Sequence, residues 1–224
     1  MLFRRLARTM VTTTTLSLLL LGMVLLFAQS PSALCFALSR CGGSARSVSM
    51  MGGGPVRGDF VPQLLELIAP TQRGLIVENN IAIIDTIDKI EQQKFPVPLA
   101  SCEGKWELMF TTEKETLFFA KNGLFGKKIV QISQTIELGA SRINNLIAFQ
   151  GDCQFSVDGT VDPDATIKNQ LNFKFTRAQL VVPPLINFGF PPVGSGWFRN
   201  VYVNKNYRVA KDVRGDYLVL RRQP

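Results

Sequence analysis

Histidine is absent from this 224-residue chain. Its absence removes Ser-His-Asp and Cys-His catalysis and every imidazole metal site. The carboxylates that come in close pairs are Glu113/Glu115 and Asp162/Asp164. Both pairs lie in turn-like segments, where solvated charge is the plain reading and general acid–base work the alternative. Of the four cysteines, Cys35 and Cys41 fall early in the chain, leaving Cys102 and Cys153 for the folded part. Two thiols are too few for a disulfide scaffold or a four-thiolate zinc site. A single bridge or two buried free thiols both fit. The residues therefore point away from catalysis, and no cofactor or metal is expected.

What the chain offers instead is apolar surface in a regular order. In Gly104-Lys105-Trp106-Glu107-Leu108-Met109-Phe110-Thr111-Thr112, the large residues Trp106, Leu108 and Phe110 alternate with Lys105, Glu107 and Met109. An alternation of period two places them on one face of a strand. Phe173 and Phe175 alternate with Asn172 and Lys174 in the same way. Together with Tyr202, these five side chains are the expected contacts for an apolar guest; filling a solid core is the alternative. Arg208 is the charge best suited to orient a head group, or else it forms a surface ion pair.

The elements that must position them follow from periodicity and punctuation. Residues 60–68 read as a short helix, with Phe60, Leu64, Leu67 and Ile68 on one face and Pro62 in the first turn. A second amphipathic helix is expected from Gly74 to Gln93, its stripe made by Ile76, Ile83, Ile84, Ile87 and Ile90. Pro96 and Pro98 end helical structure before Gly104. From there the period is two. Strands are expected at 105–112, 116–120, 128–138, 142–150, 153–157, 170–180, 196–204, 206–211 and 216–222. Asn122-Gly123, Gly139, Gly151-Asp152, Asp158-Gly159 and Arg214-Gly215 are read as turns between them, and Asn144-Asn145 as a turn or a strand interruption. Many short, even strands favour a mainly β fold, a closed or nearly closed antiparallel barrel with the amphipathic helices packed against it.

Between Arg177 and Arg199 no residue is charged. The proline-rich segment from Leu180 to Ser195 is apolar, and Leu185, Ile186, Phe188 and Phe190 are its bulky members. As a loop it must pack across a barrel end, act as a lid, or enter lipid.

The formal charge of +8 is unevenly placed. Residues 1–59 carry six arginines against Asp59, and the remainder is nearly balanced. A folded part without a clustered basic face gives no reason to expect nucleic acid as a partner. Arg4, Arg5 and Arg8, an apolar run near 16–27 and small residues after it read as a signal peptide over 1–34, with a retained signal anchor as the alternative. The Arg- and Ser-rich, acid-poor stretch that follows reads as a transit peptide and linker over 35–59, with ordinary secretion and a disordered spacer as the alternative. In sequence this resembles the bipartite leader of algae with complex plastids, with Phe36 close to the aromatic position of such leaders.

Residues 64–222 resemble the plastid lipid-associated protein family, also called fibrillins or plastoglobulins. The resemblance rests on Arg73-Gly74, on the Gly-x-Trp-x-Leu-x-Phe-Thr of 104–111, on 128–136, and on Asn145 with Phe149. It ends on Tyr202 to Lys211 followed by Gly215 to Leu220. The family's acidic pair is replaced here by Asn204-Lys205, and its Arg-Gly by Lys211-Asp212, while Arg208 and Gly215 remain. The resemblance implies a lipocalin-like barrel in the plastid, on thylakoids or plastoglobules. It further implies a non-catalytic protein that binds or sequesters lipid, carotenoid or quinone. A coat or scaffold without an internal ligand is the alternative, and a lipocalin-like enzyme of lipid or pigment metabolism a further one. In lipocalins a late Arg lies near the first-strand Trp, a role that would fall here to Arg221 or Arg222 over Trp106.

Overall fold

The computed structural model describes residues 60–191 and 194–224. The expected signal and transit peptides of 1–59, and Pro192-Val193 in the apolar segment, lie outside the described residues.

The first helix, α1 (Phe60–Ile68), buries Val61, Leu64 and Ile68. A 3-10 turn at Ala69–Thr71 follows it, where the Thr71 hydroxyl donates to the Ile68 carbonyl at 2.7 Å. The second helix, α2 (Asn80–Gln92), starts six residues later than the periodicity indicated. The cause is local. Gln72, Arg73 and Gly74 all have positive φ, and Gly74 lies so close to the Thr111 carbonyl that a Cβ there would sit 2.2 Å from its oxygen. Arg73 bridges in parallel to Phe110, so this segment is tied to the barrel before the helix begins. Ile83, Ile87 and Ile90 form the fully buried stripe, whereas Ile76 lies outside the helix and is exposed.

The strands are β1 (Gly104–Thr111), β2 (Ile129–Glu137), β3 (Arg142–Phe149), β4 (Cys153–Pro163), β5 (Gln170–Val182), β6 (Ile186–Phe190), β7 (Ser195–Val203), β8 (Tyr207–Asp212) and β9 (Tyr217–Arg222). All their pairings are antiparallel. The order β4-β3-β2-β1-β9-β8-β7-β5 closes on itself through β4–β5, which makes an eight-stranded barrel. The strand β6 lies outside that ring and pairs with the C-terminal half of β5, whose N-terminal half pairs with β7.

Four local readings are corrected. Residues 116–120 are helical, within α3 (Lys114–Asn122), because only Phe119 of the run Leu117-Phe118-Phe119 has a core to enter. A short apolar run carries too few periods to tell strand from helix. Asp158-Gly159 is not a turn: β4 runs through it, opposite a bulge that shifts the β5 register. Gly159 is required there because a Cβ would meet the Lys174 carbonyl oxygen at 2.6 Å. Asn144-Asn145 lies in the unbroken β2–β3–β4 ladder, neither turn nor interruption. The apolar segment after Leu180 is not a loop but the β5–β6 hairpin. Cys102 and Cys153 are both buried free thiols.

Two bulges decide which way the large residues face. The β1–β9 register shifts between Leu108 and Phe110, and the β7–β8 register between Asn200 and Tyr202. An extra residue reverses the alternation beyond it. Trp106 and Leu108 therefore point into the barrel, while Phe110 points outward beneath the helices. On that outer side Phe110, Val201, Val209, Tyr217 and Val219 meet Leu64, Ile83, Ile87 and Ile90. The Tyr217 hydroxyl donates to Asp88 at 3.1 Å and fixes α2 against β9. Phe110→Ala should cost about 3–5 kcal/mol, the range for truncating a fully buried aromatic. Denaturant unfolding checks this, and a loss below about 1 kcal/mol would contradict the two-sided packing.

Candidate ligand-binding cavity

The barrel interior is not filled. A cavity of about 740 Å³ lies within it, inside the range of small-molecule sites. Its apolar wall includes Leu108, Ile132, Phe155, Phe173, Phe198 and Leu220. Phe173 and Phe175 both line it, with ring centroids 4.9 Å apart, as their alternation predicted. Phe155 and Phe198 were not singled out from the sequence. Phe155 lies between Gln154 and Ser156, a weak period-two signal, whereas Phe198 follows Trp197 and carries no such mark.

One end of the barrel is sealed by a stack. The Trp106 indole N–H donates to the Cys102 carbonyl at 2.8 Å, in the 3-10 turn Leu99–Cys102. The Arg222 guanidinium covers the indole at 4.1 Å from the ring centroid. It also donates to the carbonyls of Ser101 and Glu103 at 2.7 Å and of Lys205 at 2.9 Å. Arg222 thus takes the place over Trp106, while Arg221 pairs with Glu107 at 2.7 Å on the surface. Trp106 is the floor beneath the cavity rather than part of its wall.

Above that floor lies Arg208, whose side chain is fully buried. Its guanidinium carbon is 5.4 Å from the Trp106 ring centroid and 5.2 Å from that of Phe198. One Nη donates to the Gln134 side-chain carbonyl, and Gln134 in turn donates to Asn145 at 3.0 Å. Arg208 Nε and the other Nη have no hydrogen-bond partner among the described residues. Among the described residues no carboxylate pairs with it. Burial lowers its pKa to about 10, so it is a cation at neutral pH. Burial also pushes the Cys102 thiol up, leaving that neighbour neutral.

The other end carries the opposite sign. Arg214 lies among Glu115 at 2.9 Å, Asp212 at 3.1 Å, Glu113 at 3.5 Å and Asp216 at 3.6 Å. Burial pulls its guanidinium pKa down, but Glu115, Asp212 and Glu113 more than offset this and hold it above its ordinary value. Glu113 is pushed up to about 7, chiefly by burial; the hydroxyl donated by Thr116 at 3.0 Å opposes the shift.

The other expected contacts lie elsewhere. Phe110 is in the layer under the helices. Tyr202 is there too, edge-on to Phe95 with centroids 5.4 Å apart. At the β5–β6 hairpin, Leu185 is 89% exposed at the tip and Phe188 51%, while Ile186 packs against the interior cluster. The Phe190 side chain lies outside the described residues. Asn204, in place of the family's acid, accepts from the backbone N–H of Asn206 at 2.8 Å and Tyr207 at 2.7 Å. Its amide oxygen does there what a carboxylate would do at the β7–β8 turn.

The chain is 36% identical over 170 residues to probable plastid-lipid-associated protein 11, chloroplastic, of Arabidopsis thaliana, covering 72% of this chain and 78% of that protein. It is 24% identical over 162 residues to probable plastid-lipid-associated protein 12, chloroplastic, of the same plant, covering 66% of this chain and 38% of that one. No solved structure matches it significantly. The PAP_fibrillin family model matches residues 59–221, and the chain belongs to that family.

Proposed function

We propose that this protein is a plastid container that binds an apolar molecule, such as a lipid, carotenoid or quinone, inside its barrel without transforming it. The observation that carries the reading is the cavity itself: a 740 Å³ space with an apolar wall. Enclosing apolar surface there is favourable by about 25 cal/mol per Å² removed from water. The names of the two relatives, both chloroplastic and lipid-associated, support the location. Protein purified without detergent from isolated plastids should release a stoichiometric apolar compound on solvent extraction, read by mass spectrometry. Recovery from another compartment would count against the location. Ligand-free protein would favour the coat or scaffold reading.

The exposed Leu185 and Phe188 would bring the hairpin against a lipid surface, from which a guest could enter. The double change Leu185→Ser and Phe188→Ser should reduce flotation with plastid-lipid vesicles several-fold at unchanged melting temperature. Unaltered flotation would remove the hairpin from the lipid contact.

One observation favours a lipocalin-like enzyme as the second reading. Glu113 lines the cavity, and its pKa of about 7 would suit proton transfer. An extracted compound that is chemically unchanged after incubation with the protein would count against it. The same shift has a stability signature. The folded pKa lies above the ordinary value, so the folded state binds the proton more tightly than the unfolded chain. Stability from this group is therefore full below about pH 4.5 and is lost as pH rises through about 7. Between those values the melting temperature of wild type should fall relative to Glu113→Gln. A constant difference would show that Glu113 titrates normally.

A further inference from the structure

We infer that the ligand of this cavity carries a single carboxylate on a long apolar body, and that it binds head-down on Arg208. The inference rests on the container reading and narrows it, from apolar molecules in general to long-chain acids.

The argument starts from an incomplete salt bridge. A buried ion is costly unless it is paired. Arg208 is fully buried, receives one neutral acceptor from Gln134, and leaves Nε and one Nη without a partner. Arg208 is one of the residues lining the cavity, and its unpartnered N–H groups are buried, so a guest's head reaches them by shifting the side chains around them. A carboxylate oxygen matches these N–H groups in geometry and charge. A monoanion neutralises Arg208, the cation that lines the cavity; Arg222, on the same indole, is already engaged by three backbone carbonyls. A neutral quinone or carotenoid would leave Arg208 uncompensated.

The opposite end fixes the direction. Glu115, Asp212 and Asp216 outnumber Arg214 there and would repel an acid head. Between the two ends, Leu108, Phe155 and Phe173 line the path for an alkyl chain. The head therefore belongs at the floor and the tail toward the acidic mouth.

Titration of delipidated protein with oleate and with oleyl alcohol tests this, since the two probes differ only at the head. Wild type should bind oleate about ten- to a hundredfold more tightly, the size of one charge-assisted interaction. In Arg208→Met the two affinities should converge. Because that variant removes a buried group and could unfold, Gln134→Glu is the second test. It places an internal carboxylate against Arg208, so the melting temperature should rise while the oleate preference disappears. Equal wild-type affinities for the two probes would overturn the acid inference and leave the container reading in place. So would a folded Gln134→Glu protein that keeps its preference. Binding of neither probe would also overturn it, and the plastid extraction then decides the container reading by itself.

Discussion

Where they run beneath the helices, the strands β1, β7, β8 and β9 are buried on both faces, and most of the structure follows from that constraint. Their inner face looks into the barrel and their outer face lies under α1 and α2. A strand in that position must carry apolar residues in both phases of its alternation. Thus β8 sends Arg208 and Ala210 inward and Val209 outward, and β9 sends Leu218 and Leu220 inward and Val219 outward. The helices need no internal stability of their own, because Ile83, Ile87 and Ile90 gain theirs from this wall. The outer layer adds a second core to the interior cluster, and the barrel keeps its cavity beside that cluster.

Much of the barrel was legible in the sequence because alternation and turn residues report local geometry directly. The strands β1, β2, β3 and β7 to β9 fall close to their expected limits, and Phe173 and Phe175 share the face their spacing indicated. Bulges left no such mark. Nothing in Leu108-Met109-Phe110 says that the register slips there, so alternation alone puts Phe110 in the interior with Trp106. Tyr202, beside the second bulge, departs from its expected face for the same reason. The hairpin strand β6 was hidden because prolines and glycines around it read as loop. The cavity itself could not be read, since a pattern specifies a face but not the volume enclosed.

Charge separates the two ends of the interior. At the floor, Arg222 is satisfied by three backbone carbonyls and the indole of Trp106. Among the described residues, its neighbour Arg208 is satisfied by one side chain only. The first arginine closes the barrel, and the second faces the space above. At the mouth, carboxylates dominate and raise the cost of further negative charge. Replacement of the family's acidic pair by Asn204-Lys205 does not disturb this arrangement, because Asn204 keeps the turn's acceptor and lies outside the cavity.

The claim that joins these features is that an apolar guest occupies the interior and not the outer surface. Methyl-labelled protein studied by NMR with added oleate tests it most directly. The account predicts intermolecular nuclear Overhauser effects from the alkyl chain to the inward methyls of Leu108, Ile132 and Leu220, and none to those of Ile87 or Val209. Contacts confined to exposed groups such as Ile81 or Leu185, with the inward methyls silent, would contradict it.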